Sequence, residues 1–232
     1  MSEPGEPGSR RGRAHDAKGA REAILNAAEA VFAEQGFDGA RIDAIATEAG
    51  YNKSLIFQYF DDKLGLYAEV VKRADREMNE LQAQVLTPLL EDETITSNAH
   101  TFKAFLETIA QAVFDYLLEH PRFIRMLLWE QAEGWQTYAK IVSQFTTEDT
   151  DQFERLFRKA HSAGLLRSDF VPLIQLSMVL QICQSYLAFI PLYQMLLTGE
   201  DLSSEAALTR ARDYIVDFVV HGMMVDPKDH ET

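Results

Sequence analysis

Arg41-Ile-Asp-Ala-Ile-Ala-Thr-Glu-Ala-Gly50-Tyr-Asn-Lys-Ser-Leu-Ile-Phe-Gln-Tyr-Phe60 contains two short apolar-patterned segments separated by a break at Gly50-Tyr51-Asn52. Ile42, Ile45, Ala46 and Ala49 recur at i, i+3, i+4 and i+7, the spacing of one helical face. Gly50 stands where a left-handed residue closes a helix, and Asn52 or Lys53 precedes a second short helix over 54–60. Two short helices joined by a Gly-containing turn make a helix-turn-helix pattern, and the second helix of such a pair can enter the DNA major groove.

Working outward, Ala23-Ile-Leu-Asn-Ala-Ala28, Val31-Phe32 and Glu34-Gln-Gly36-Phe37-Asp-Gly39-Ala40 lie before this stretch. Ile45-Ala46, Ala49-Gly50, Lys53-Ser54-Leu55-Ile56-Phe57 and Tyr59-Phe60 lie within it, and Lys63 and Leu66-Tyr67 follow. In these residues the chain resembles the N-terminal DNA-binding region of the tetracycline-repressor (TetR-like) family of bacterial transcriptional regulators. The resemblance implies an all-α fold, with a three-helix helix-turn-helix head followed by a helical bundle for ligand binding and dimerisation. It also implies that Lys53, Ser54, Leu55, Phe57, Gln58 and Tyr59 on the third helix face DNA. A glutamine such as Gln58 can bond two edges of adenine at once, and Leu55 or Phe57 can touch a thymine methyl. Arg41, Lys53, Tyr59 and Lys63 suit phosphate oxygens, which set register rather than sequence.

The stretch departs from the family pattern in three places. Arg41 replaces the usual Thr or Ser, removing a hydroxyl cap worth ~1 kcal/mol unless Asp43 serves the helix start. Tyr59 stands where His is frequent, and Gln58 where an aromatic is frequent, so base preference does not transfer. Phe60 is assigned to the core, whereas Phe57 is left open between core and groove.

The net charge of −14 argues at first against a nucleic-acid partner, but its distribution softens that objection. Residues 10–21 hold five Lys/Arg against one acid, and residues 66–232 hold 14 Lys/Arg against 25 Asp/Glu. An acidic body discourages non-specific phosphate binding, which fits a selective binder. Cys183 is the only cysteine, so no intrachain disulfide forms, and a cytoplasmic location is expected. The N-terminus lacks the apolar segment of a secretory signal. The apolar stretch 170–197 is interrupted by Gln175, Gln181, Gln184, Pro191 and Gln194, which argues against a membrane span.

No paired metal-ligand spacing, nucleophile elbow or phosphate loop is present, so neither a metal, a cofactor nor a catalytic role is expected. Cys183, in an apolar run, reads as an inert buried thiol.

The organisation expected is a flexible basic arm over 1–17, the DNA-binding domain over 18–66, an effector-binding and dimerisation domain over 67–225, and a tail over 226–232. Helix one is expected over 18–35, with Phe37 plugging the small core. A fourth helix follows from 61 or 62 to 85, then a loop over 87–100. Helical patterns fill the rest. The stretch 172–197 is apolar nearly all round and belongs inside a bundle or interface. In the last helix, Ala207, Leu208, Ala211, Tyr214, Ile215, Phe218 and Val219 form one stripe, and Val216 and Val220 extend a second.

Met126, Trp129, Gln131 and Trp135 form an aromatic-rich cluster, and Gln181 and Gln184 lie on a polar stripe near Met178 and Phe189. Uncharged polar groups amid aromatics suit a pocket for a small, largely apolar effector, although each residue taken singly fits core or interface as well. One short reading helix is weakly specific, whereas two copies related by two-fold symmetry read a palindrome. The resemblance places that homodimer contact on the two C-terminal helices. The expectation is a ligand-responsive regulator, most often a repressor, released from a palindromic operator. The alternative is a helical effector-binding or interaction protein without sequence-specific DNA binding.

Overall fold

The computed structural model of the chain describes residues 9–85, 94–145, 148–167 and 171–225. Among them the chain is all-α: α1 (Ser9–Gly39), α2 (Ile42–Ala49), α3 (Lys53–Phe60), α4 (Lys63–Val85), α5 (Ala99–Glu119), α6 (Pro121–Ala132), α7 (Tyr138–Ile141), α8 (Glu148–Ser162), α9 (Pro172–Leu196) and α10 (Glu205–Met223). An isolated antiparallel bridge joins Leu166 and Met224. Residues 1–8 of the expected arm, 86–93 of the expected linker and 226–232 of the tail lie outside the described residues.

Contacts divide the chain into two units, one running to Asp75 and including Arg125–Ser143, the other comprising Arg76–Ile124 and the residues from Gln144 on. The first unit is built on α1 and α4. Ile24, Leu25, Ala28 and Phe32 of α1 are buried, as are Ile45, Ile56, Phe60, Leu66, Tyr67 and Val70. Large aliphatic or aromatic side chains removed from water in this way contribute about 1.5–3 kcal/mol each. Phe37 plugs this core as the sequence suggests, edge-on to Tyr67 at 5.3 Å and stacked on Phe32 at 6.1 Å between centroids. Ion pairs Arg21–Glu69 and Arg73–Glu29, with a bond from Arg73 to Asn26, fasten α1 to α4. Burial alone would raise the Glu69 carboxyl, but hydrogen bonds from Lys72 and Arg21 draw it below its ordinary value.

Two boundaries differ from the sequence reading. Helix α1 begins at Ser9, so 9–17 is helical rather than a flexible arm. Proline, which disfavours a helix interior, is confined to positions 4 and 7 of that segment, while Ala14, Ala17 and Ala20 favour helix. The helix is interrupted at Gly36 (φ 68°, ψ 178°), where the chain turns to deliver Phe37. The unit division falls inside α4 at Asp75, beyond the expected boundary at 66, and residues 125–143 join the head because Trp129 and Glu130 pack there.

In the second unit, α5 lies against α9 and α10, and α8 lies against α9. Phe102, Phe105, Phe114, Leu117, Phe157, Cys183, Ile215 and Val219 share one core. Arg212 of α10 pairs with Asp115 of α5 through a single nitrogen, Nη1, which lies 3.0 Å from each carboxylate oxygen. Burial pushes the Cys183 thiol up to about 12, which suits the inert role expected of it. The Gln194 amide, which interrupts the apolar run of α9, bonds Glu200 O and Leu202 N–H and so closes the α9–α10 turn.

Helix α9 is not covered all round by the described residues. Ile174, Met178, Phe189, Leu192, Met195 and Leu196 are exposed, Met195 by 73%. The stripe expected on α10 also divides differently. Ile215, Val216, Val219 and Val220 point inward together, whereas Tyr214 (71%) and Phe218 (58%) are exposed. Successive residues of a helix are turned by about 100°, so membership assigned by i+3 and i+4 spacing alone drifts across both faces of α10.

Candidate nucleic-acid interface

The helix-turn-helix forms because each end of the turn is capped. Gly50 is left-handed (φ 72°, ψ 23°), and its N–H reaches the last carbonyls of α2. Asn52 caps α3, its side-chain oxygen accepting the Leu55 N–H at 2.9 Å. Arg41 stands at the N-cap of α2 without a side-chain cap bond, and Asp43 occupies the first turn, as expected from the missing hydroxyl.

Helix α3 has two faces. Ile56 and Phe60, four residues apart, are buried beneath it, and the Arg21 guanidinium lies 5.3 Å from the Phe60 ring centre. Lys53, Ser54, Phe57 and Gln58 are exposed on the other side at i, i+1, i+4 and i+5, a continuous face carrying no carboxylate. Phe57 is 44% exposed, an unusual state for Phe in a small head and one that resolves the ambiguity toward the surface. Leu55 and Tyr59 are half-buried at the margins, and Tyr59 leans edge-on against Phe60 at 6.1 Å. Lys53 Nζ lies 2.5 Å from Asp43 Oδ1, an exposed pair worth little against competing phosphate. Arg41 is exposed beside this face in sequence order.

Lys63 has partners within the chain that its expected phosphate contact did not include. Its Nζ donates to Phe37 O at 2.8 Å and Ala40 O at 3.1 Å, approaches Asp38 O at 3.5 Å, and lies 4.4 Å from the Phe37 ring centre. Its ammonium therefore ties the start of α4 to the carbonyls at 37–40 between α1 and α2. Lys63→Ala is accordingly expected to lower the melting free energy by about 2 kcal/mol through loss of charge-assisted bonds. Denaturant titration checks this, and unchanged stability would show that these bonds add nothing to the head. Sequence reasoning also passed over Tyr51, exposed in the turn immediately before α3. An aromatic directly after the Gly C-cap is the signal that could have marked it.

Of the eight residues expected to line a pocket, four belong to each unit. In the first unit Met126 is buried, and Trp129 donates from Nε1 to Ala33 O at 3.3 Å with its ring close against Gly36. Gln131 and Trp135 are exposed, with Trp135 at φ 63° and edge-on to Tyr138. In the second unit Gln181 and Phe189 are exposed, Gln184 is buried, and Met178 lines a cleft of about 290 Å³ with Gln175, Ile182 and Phe218. Trp and Gln identities mark polar-aromatic character but not which surface a helix turns inward.

Residues 24–70 match the model of bacterial regulatory proteins of the tetR family, and residues 96–219 match the tetracyclin repressor-like C-terminal domain. The chain belongs to the TetR family. Its relatives include the transcriptional repressor NicS of Pseudomonas putida, 27% identical over 176 residues, covering 75% of this chain and 78% of that protein. The repressor SCO4008 of Streptomyces coelicolor is 28% identical over 189 residues, covering 80% and 87% respectively. Among solved structures, the putative regulator SCO4942 of the same species superposes with a TM-score of 0.59 at 26% identity, covering 88% of this TetR-family chain and 98% of that one. Membership makes the chain a DNA-binding transcriptional regulator with its helix-turn-helix at Ile42–Ala49 and Lys53–Phe60.

Proposed function

We propose that this TetR-family regulator is a homodimeric repressor that holds a palindromic operator through α3 and releases it when a small molecule binds the body. The observation that carries the reading is the exposed face of Lys53, Ser54, Phe57 and Gln58, backed by buried Ile56 and Phe60. Gln58 supplies the paired donor and acceptor that adenine requires, Phe57 meets a thymine methyl, and Lys53 and Arg41 take phosphates. Ser54, Leu55 and Tyr59 complete the contact at its edges. Operator fragments retained from genomic DNA test it by gel shift. Gln58→Ala should cost about 1–3 kcal/mol on the cognate site and little on random DNA. Equal losses on both would remove Gln58 from base reading.

The exposed apolar residues of α9 and α10 support dimerisation. Met195, Leu196, Tyr214 and Phe218 form surface that a lone chain leaves in water at considerable cost. Helix α9 is long and apolar enough to cross a membrane by length and composition alone. Its buried Gln184 and Gln175 favour a protein partner over lipid. A second copy of the chain supplies the two-fold symmetry that a palindrome demands. Tyr214→Glu with Phe218→Glu should convert the dimer to monomer, because each carboxylate would be buried without a partner. Sedimentation velocity reads the change, and a dimer of unchanged mass would move the interface elsewhere.

Effector action follows from population shift: a ligand favouring a body conformation unsuited to paired grooves lowers operator affinity by its differential affinity for the two states. Helices α4 and α6 each contribute residues to both units, so the chain itself provides continuous elements for that coupling.

A further inference from the structure

Lys53 opens the reading helix, and its ammonium already holds an anion: Nζ lies 2.5 Å from Oδ1 of Asp43, in the first turn of α2. The exposed face of α3 carries no carboxylate of its own, so Asp43 brings one to its edge from the neighbouring helix. Both side chains remain largely in water, Asp43 71% and Lys53 49% exposed, and phosphate can therefore break the pair. The carboxylate cannot leave with it. Buried Ile45 and Ala46 fix α2 in the head, and its first-turn N–H groups, which receive no side-chain bond from Arg41, favour an acid at this position. Any phosphate that takes Lys53 thus leaves an unpaired negative charge beside the duplex.

We infer that Asp43 is a positioning residue that restrains Lys53 and limits how tightly the head holds DNA of any sequence; this rests on the phosphate role proposed above for Lys53. In the unbound head the carboxylate occupies the place of a phosphate oxygen on Nζ, and DNA binding exchanges one anionic partner for another. That exchange releases less counterion than an unpaired ammonium would, because the vacated Asp43 recruits a cation of its own. Phosphate attraction supplies nearly all non-specific affinity, so the subtraction falls hardest there. At an operator it leaves the base contacts of Gln58 and Phe57 a larger share of what remains.

Fluorescence anisotropy of a labelled duplex of mixed sequence, titrated with the full chain from low to moderate potassium chloride, tests this without knowledge of the operator. Asp43→Asn should bind about threefold to fivefold more tightly than wild type at low salt, the scale of exposed ion-pair effects. Its affinity should also fall more steeply with salt, the slope of log K against log salt growing by up to about 0.9 per head. A merely structural Asp43 would act the other way, since loss of an acid from the first turn weakens α2. Asp43→Glu keeps the charge and should behave as wild type. Exposed Glu48, about 140° further round α2, is the control for overall charge, and Glu48→Gln should change both quantities less. Lys53→Gln should weaken the Asp43→Asn protein more than it weakens the wild type. Unchanged or weaker binding by Asp43→Asn, with Lys53→Gln still weakening the wild type, would overturn the restraint and leave the phosphate role of Lys53 standing. An equal gain from Glu48→Gln would overturn it as well. No effect of Lys53→Gln in either background would overturn both.

Discussion

Gly65→Ala should unfold the DNA-binding head, lowering stability by about 3–5 kcal/mol and abolishing DNA retention. A Cβ placed on Gly65 falls 2.2 Å from Phe60 O, a backbone atom with little freedom to move. That carbonyl already accepts the Asp62 N–H at 2.7 Å, and Asp61 beside it holds a left-handed φ of 62°. Asp62 in turn accepts the Gly65 N–H at 2.7 Å, capping α4. Any shift that relieved the clash would break the cap or the end of α3, and with it the burial of Phe60. Gly19, in the interior of α1 with nothing within 4 Å of an added Cβ, is the comparator. Its alanine variant should gain up to about 1 kcal/mol. Thermal unfolding followed by circular dichroism reads both, and a Gly65→Ala head melting with the wild type would show that the turn accommodates a side chain.

The second large effect is expected at Glu130. Its side chain is buried at 4% exposure, accepts the Tyr67 O–H at 2.6 Å on Oε1, and accepts the Tyr138 N–H at 3.1 Å on Oε2. Glu130→Ala strands two donors and should cost about 3 kcal/mol, whereas Glu130→Gln keeps one acceptor oxygen and should cost roughly half as much. Burial first, then the bond to Glu130 and its charge, push the Tyr67 phenol far above its ordinary value, so it remains a donor at alkaline pH. Tyr67→Phe should therefore be costly alone and nearly neutral once Glu130 is alanine. A double-mutant cycle in denaturant measures that coupling, and strictly additive effects would deny that the bond holds residues 125–143 to the head.

These two residues also mark the limit of what the sequence discloses. The reading helix was legible because its determinants are local: Gly50 and Asn52 cap the turn from adjacent positions, and Ile56 and Phe60 repeat at helical spacing. Phe37 and Phe60 were rightly placed inward for the same reason. The carbonyl partners of Lys63 were not legible because they lie 23 to 26 residues away, in a turn shaped by the left-handed Gly36. Glu130 drew no attention because its partner Tyr67 is 63 residues distant and nothing in its neighbours distinguishes it from a surface acid. The aromatic cluster at 126–135 looked like a ligand pocket since Trp and Gln line pockets. Trp129 packs on α1, a destination no periodicity reveals. Similarly, Tyr214 and Phe218 share an apolar stripe with Ile215 and Val219 in the sequence, and only the position of α5 shows which side of α10 is already covered.

The central claim is that two copies of α3 read one palindrome. Nuclease protection of genomic fragments retained by the purified protein tests it most directly. The account predicts two protected half-sites related by inversion, their centres about 34–36 Å or a multiple apart along the duplex, with the pattern lost in the Tyr214→Glu, Phe218→Glu variant. Uniform weak protection without a shared inverted sequence would contradict it.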